Sequence, residues 1–200
     1  MEHYFTNNEN AISNEKEFQV NCLGKTYKFV TDNGVFSKGE LDFASKLLIE
    51  TFLDTNPVGN VLDVGCGYGA LGVIIGSQLP NSEIHMVDVN LRALDLSKRN
   101  AKLNKVGNVQ VYASNCYEGV EVKFSNIISN PPIRAGKKTV HRILIEAIEY
   151  LEESGTLTIV IGKQHGAESA KKKMAEVFGN AEMIERKKGF WIIQSIKGKE

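Results

Sequence analysis

No apolar run in the 200 residues approaches the ~20 that a membrane-spanning helix needs, so no membrane partner is expected. The N-terminus lacks a basic stretch followed by an apolar core, which argues against secretion and for a cytoplasmic protein. Cysteine is scarce. Cys22, Cys66 and Cys116 are widely separated and without metal-ligand spacing, which speaks against a disulfide framework, for a reducing compartment, and for no metal site. Net charge is zero, with 24 Lys and Arg against 24 Asp and Glu. The cancellation is uneven: residues 1–100 hold 8 basic and 13 acidic side chains, residues 101–200 hold 16 and 11. That asymmetry permits contact with a polyanion through local phosphate binding but does not require it. Internal repeats and low-complexity tracts are also missing.

What remains is an ordinary globular composition, 42% hydrophobic and 24% charged, with enough apolar residues to bury the core of one domain or one domain with an extension. The chain is organised around Val61-Leu62-Asp63-Val64-Gly65-Cys66-Gly67-Tyr68-Gly69-Ala70. Four residues read as a short buried strand and a helix follows from Ala70. The glycines between them let the backbone turn sharply and come close to a ligand. Such a turn presents free N–H groups at a helix N-terminus, at the carboxyl end of a parallel strand, where nucleotides bind. Gly65, Gly67 and Ala70 also satisfy the dinucleotide fingerprint, with Asp88 at a distance suited to gripping a ribose. Two features pull away from a nicotinamide cofactor: Asp63 inside the strand, and Asn130-Pro131-Pro132 at the end of a later one.

Along the chain, residues 1–15 are polar. Phe18, Val20 and Cys22 alternate with polar residues, and Leu23-Gly24-Lys25 turns into residues 26–30, which predicts a β-hairpin. We therefore expect residues 1–33 to form a small extension and residues 34–200 the main domain. Leu41, Ala44, Leu47, Leu48 and Phe52 follow helical spacing. From Asn60 strands alternate with helices, the signature of an α/β, Rossmann-like doubly wound sheet. Strands are expected near 60–64, 83–88, 108–112, 124–129 and 155–161. Helices are expected near 69–79, 90–104 and 138–152, the last on the stripe of Val140, Ile143, Leu144, Ala147, Ile148 and Leu151. Another helix carries Ala170, Met174, Val177 and Phe178. Two final strands, near 181–186 and 190–196, must pair antiparallel because the link between them is too short for a parallel crossover.

Gly34-Val35-Phe36-Ser37, Val61 through Gly67, Val87-Asp88-Val89-Asn90, Ala113-Ser114-Asn115 and Ile128-Ser129-Asn130-Pro131-Pro132 occur in an order and spacing that resembles the small-methyltransferase-domain family. This is a family of class I S-adenosylmethionine (SAM) methyltransferases, and the resemblance covers residues 34–195. It is closest to bacterial enzymes that methylate the guanine N2 amine of small-subunit (16S) ribosomal RNA. It implies a mostly parallel seven-stranded sheet with an antiparallel C-terminal hairpin, SAM as cofactor, and ribosomal RNA or the small ribosomal subunit as partner. Two departures stand out. Ile133 follows Asn-Pro-Pro where the family usually places Phe or Tyr to stack on the target base. A second, degenerate domain that some such enzymes carry has no counterpart here, so substrate choice falls to this domain or to self-association as a homodimer.

The resemblance assigns roles residue by residue. Asp63, Gly65, Cys66 and Gly67 form the cofactor turn, Asp63 orienting it or facing the methionine amine through water. Asp88 accepts the ribose hydroxyls, Val89 covers the adenine face, and Asn115 with the Cys116 N–H reads the adenine edge. Asn130 is the main catalytic candidate. Its side-chain oxygen and the Pro131 carbonyl would each accept one hydrogen of the target amine, on a loop stiffened by Pro131 and Pro132 and continued by Ile133. Arg134, Lys137, Lys138, His141 and Arg142 are the candidate phosphate contacts, and Phe36 with Ser37 a candidate lid. Lys171, Lys172 and Lys173 read as a solvated helix face, while His3 and His165 have no identifiable partner. Three other functions stay open: a protein glutamine methyltransferase, a non-catalytic SAM-binding module for RNA or a protein partner, and a NAD-dependent oxidoreductase. Asn-Pro-Pro leaves the last of these unexplained.

Overall fold

The computed structural model describes residues 13–35 and 39–199. The expected lid residues Phe36 and Ser37, and His3, lie outside them. The alternation of short apolar runs and amphipathic stretches becomes a sheet with helices on both faces. Its parallel strands are β3 (Val61–Val64), β4 (Ile84–Asp88), β5 (Val109–Ala113), β6 (Phe124–Ser129) and β7 (Leu151–Gly162). Every residue of β3 is buried, as expected of a strand covered on both sides. The helices are α1 (Phe43–Asp54), α2 (Ala70–Gln78), α3 (Leu91–Leu103), α4 (Lys137–Tyr150) and α5 (Ala167–Phe178). The last strands, β8 (Glu182–Lys187) and β9 (Phe190–Ile196), form the expected antiparallel hairpin. Sheet order is β5-β4-β3-β6-β7-β9-β8. Strand order therefore reverses between β3 and β6, which opens a crevice at their carboxyl ends.

One boundary differs from the expectation. The predicted helix over 138–152 stops at Tyr150, and Leu151 opens β7 opposite Phe124. Leu151 is fully buried, so its place in the apolar stripe was real, but burial alone does not distinguish the end of a helix from the start of a strand. β7 then shifts register between its pairings with Phe124 and Asn126.

The N-terminal hairpin is present as β1 (Lys16–Cys22) and β2 (Lys25–Thr31), with Phe18 opposite Phe29. Two asparagines one helical turn apart hold it, Asn100 on α3 and Asn104 capping the C-terminus of α3. The Asn104 amide receives Lys28 N–H at 2.9 Å and donates to Lys28 C=O at 2.7 Å. The Asn100 amide does the same for Val30, at 2.8 and 2.9 Å. The match is geometric: four residues of helix rise about 6 Å and two of strand about 6.6 Å. Tyr27, Phe29 and Val30 join a buried cluster with α1, α2 and α3 on one face of the sheet, while α4 and α5 cover the other. Among the described residues no helix is long and apolar enough to cross a membrane.

Candidate active site at the sheet crevice

The turn after β3 is held from three sides. Gly65 and Cys66 donate N–H to the Val87 carbonyl at 2.9 and 3.0 Å, and Ser97 Oγ donates to the Gly67 carbonyl at 2.8 Å. Gly67 N–H donates to Asp88 Oδ2 at 2.9 Å. The other Asp88 oxygen accepts from Asn90 N–H at 2.9 Å. Asn90 in turn caps α3, accepting from the backbone N–H of Arg92 and Ala93. Gly65, Gly67 and Gly69 all have positive φ, at 79°, 56° and 90°. A Cβ on Gly67 would meet nothing within 4 Å, so the turn borders open space, whereas one on Gly69 would strike Ser97, backbone included.

Asp63 lies directly beneath. It is buried, and one oxygen accepts from the backbone N–H of Gly72 in the first turn of α2. Its Oδ2 is buried with no hydrogen-bond partner. Desolvation, with the Asp88 charge adding to it, pushes this carboxyl up to about 7. Burial likewise raises Asp88, against three backbone N–H groups that lower it. It also pushes the Cys66 thiol well up, which leaves that group a neutral packing residue whose Sγ sits 3.7 Å from Ser97 Oγ.

Across the crevice, Ser129 Oγ donates to the Val64 carbonyl at 2.7 Å and ties the end of β6 to β3. Pro132 Cδ would come within 3.8 Å of a Cβ on Gly65, so the two loops face each other. Asn130 donates its side-chain N–H to Ser45 Oγ on α1 at 3.0 Å. That bond turns the amide so that its oxygen carries no protein donor among the described residues. The Pro132 carbonyl is occupied by Ala135 N–H at 2.9 Å.

These groups line one cleft of about 490 Å³, within the ~300–1,000 Å³ usual for small-molecule sites. Asp63, the glycine turn, Asp88, Val89, Asn115 and Cys116 line it together with Asn130, Pro131, Pro132, Ile133 and Arg134. Lys137, Lys138, His141 and Arg142 stay outside it. The Arg142 guanidinium is taken up by Glu146 at 2.8 Å and Glu118 at 3.2 Å, which raises it further. Asn115 also donates to Glu118, at 3.0 Å. Residues not anticipated also line the cleft: Phe43 and Ser45 from α1, Gly162 at the end of β7, His165 just after it, and Phe190 opening β9. Their contribution depends on sheet order, which no local pattern carries. Among the described residues no cluster of three or more His, Cys, Asp or Glu could hold a metal ion.

The donor set suits SAM. A carboxylate beside the glycine turn fits two ribose hydroxyls, the open space above Gly67 admits a ligand, and the unpartnered Asp63 oxygen fits a cationic group. Comparison with known proteins agrees. Residues 26–194 match the family model described as methyltransferase small domain. The uncharacterized protein YbxB of Bacillus subtilis (strain 168) is 43% identical over 198 residues, 98% of each chain. Ribosomal RNA small subunit methyltransferase C of Haemophilus influenzae (strain PittEE) is 36% identical over 162 residues, 75% of this chain and 48% of that one. A T. thermophilus 16S rRNA N2 methyltransferase (RsmC), solved with AdoMet and guanosine, superposes with a TM-score of 0.83 at 24% identity, covering 92% of this chain and 50% of that one. The chain thus spans about half the length of the ribosomal RNA methyltransferases it matches. With the class I fold, the glycine turn and the matched family model in agreement, the chain belongs to the methyltransferase small domain family and takes SAM as its cofactor.

Proposed function

We propose that this protein methylates the exocyclic N2 amine of a guanine in small-subunit (16S) ribosomal RNA, in the cytoplasm, on free RNA or the small ribosomal subunit. The observation that carries the reading is the Asn130 amide, whose N–H is held by Ser45 so that its oxygen stays free beside the glycine turn. The name of the Haemophilus influenzae relatives, ribosomal RNA small subunit methyltransferase C, points the same way.

A guanine amine is a weak nucleophile because its lone pair is delocalised into the ring. Two fixed acceptors, Asn130 Oδ1 and the Pro131 carbonyl, would each take one amine hydrogen. They would aim the lone pair at the methyl and stabilise the pyramidal, developing-positive nitrogen. SAM, when bound, supplies a methyl group on a cationic sulfur. The N–C bond forms as the C–S bond breaks, and the extra proton leaves to water afterwards, so no strong base is needed. Asp88 would hold the ribose and Asp63 the cationic end, with Asn115 and Cys116 at the adenine. Self-association as a homodimer would extend the RNA footprint.

The test is single-turnover transfer of labelled methyl from SAM to ribosomal RNA, followed by nucleoside analysis. Asn130→Ala should lower the rate by ~10²–10³ while SAM affinity holds, the usual effect of losing one aligned group at a developing charge. Equal rates, or label on a ring carbon or ribose oxygen, would rule the mechanism out.

A further inference from the structure

We propose that the target base stacks on an aromatic platform of Phe43 and Phe190, which takes the place of the aromatic that Ile133 does not provide, and that Arg134, Lys163 and Lys188 seat the phosphates beside it. The proposal rests on the RNA reading above and adds where the nucleotide sits. Phe43 opens α1, two residues before the Ser45 that fixes Asn130, and lines the same cleft as that asparagine. Phe190 opens β9 opposite Gly162, the last residue of β7. The two ring centroids are 6.0 Å apart with planes inclined at 44°. They touch each other and leave no slot between them. Both rings are half-buried and both line the cleft, so each still presents surface to a ligand.

The charge around the platform supplies the second observation. Residues 130–138, 162–166 and 186–189 contain seven Lys and Arg and no Asp or Glu, in a chain whose net charge is zero. Sheet order brings the three segments to one rim: they follow β6, follow β7, and form the β8–β9 turn, with Lys163 N–H donating to the Gly189 carbonyl at 2.7 Å. Lys188 Nζ lies 4.7 Å from the Phe43 ring centroid. Lys188 and Gly189 make the two-residue turn with φ of 48° and 81°. Asn or Gly would fit the first of those positions with less strain, yet a long cation stands there, over the aromatic ring. An apolar ring surface whose three basic rim segments carry no acid, with Asp42 beside Phe43 engaged in capping α1, is complementary to an unstacked base with its flanking phosphates. The platform recognises any base through its π face; choice among bases falls to Asn130 and its neighbours.

Guanosine and adenosine are the probes, titrated into the protein saturated with S-adenosylhomocysteine. Both should bind the wild type. Phe43→Leu and Phe190→Leu should each weaken binding by about 5- to 100-fold, Phe→Tyr at either site should restore it, and S-adenosylhomocysteine affinity should not move. Fluorine-labelled phenylalanine in the wild type gives a readout that needs no variant: the Phe43 and Phe190 resonances should shift on nucleoside addition. Unshifted resonances, full affinity in both Leu variants, or no nucleoside binding at all would overturn the platform. If both nucleosides bind through these rings but 16S RNA gains no methyl on guanine N2, the platform stands and the guanine reading fails.

Discussion

Asp63 shows how much a single carboxyl can set at this site. Its position within the strand, two residues before Gly65, was legible in the sequence. Its environment was not, because burial and an unpartnered oxygen belong to the packed molecule. A folded pKa of about 7 lies above the ordinary 3.8, so the folded chain holds this proton more tightly than the unfolded chain. The stability that the protonated carboxyl contributes is complete below about pH 4 and is lost as pH rises through about 7. Asp88 is shifted the same way. The ligand-free protein should therefore melt at falling temperature as pH rises from about 4 to about 7, and Asp63→Asn should flatten that trend, which thermal melting across pH would read. A slope identical in the variant would show that Asp63 ionises without cost. Asn130 teaches a related lesson. The motif was visible, but only the bond the amide donates to Ser45 on a distant helix shows which way it faces.

At the level of elements, period and turn chemistry revealed most of the strands and helices, including the antiparallel end of the sheet. Periodicity failed where a buried residue serves either structure, as Leu151 does between α4 and β7. The hairpin of β1 and β2 was legible from alternation, but its attachment to α3 was not, since Asn100 and Asn104 look like ordinary helix-surface polar residues. Asn100 is fully buried and also donates to the Tyr68 carbonyl at 2.8 Å, so it links β2, α3 and the glycine turn. Asn100→Ala would leave Val30 N–H, Val30 C=O and the Tyr68 carbonyl without that partner. We expect a loss of roughly 2–4 kcal/mol in denaturant unfolding, with faster amide exchange in β2 than in β6. Uniformly faster exchange, or no loss of stability, would show that the hairpin does not depend on this clamp.

On the scale of the whole molecule, charge placement matters more than the zero total. Arg142, a candidate phosphate contact by sequence, is ion-paired to Glu118 and Glu146. Lys163 and Lys188 are far apart in the chain and share one rim through the β7–β9 pairing. In RNA-binding titrations over a range of KCl, Lys163→Ala and Lys188→Ala should each reduce the salt slope by about 0.7, the single-strand value per lost contact. Arg142→Ala should leave it nearly unchanged. The reverse pattern would place the RNA along α4 instead. The sequence by itself determined the alternating fold, the glycine turn with its two acidic partners, and the Asn-Pro-Pro loop, because each is written in contiguous residues whose backbone demands are local. Tertiary structure alone decided that Ser45 holds Asn130, that Phe43 and Phe190 form one wall, and that three basic loops share a rim. Those neighbours come from strand order and the hand of the crossovers, which bring together side chains that no window of sequence contains.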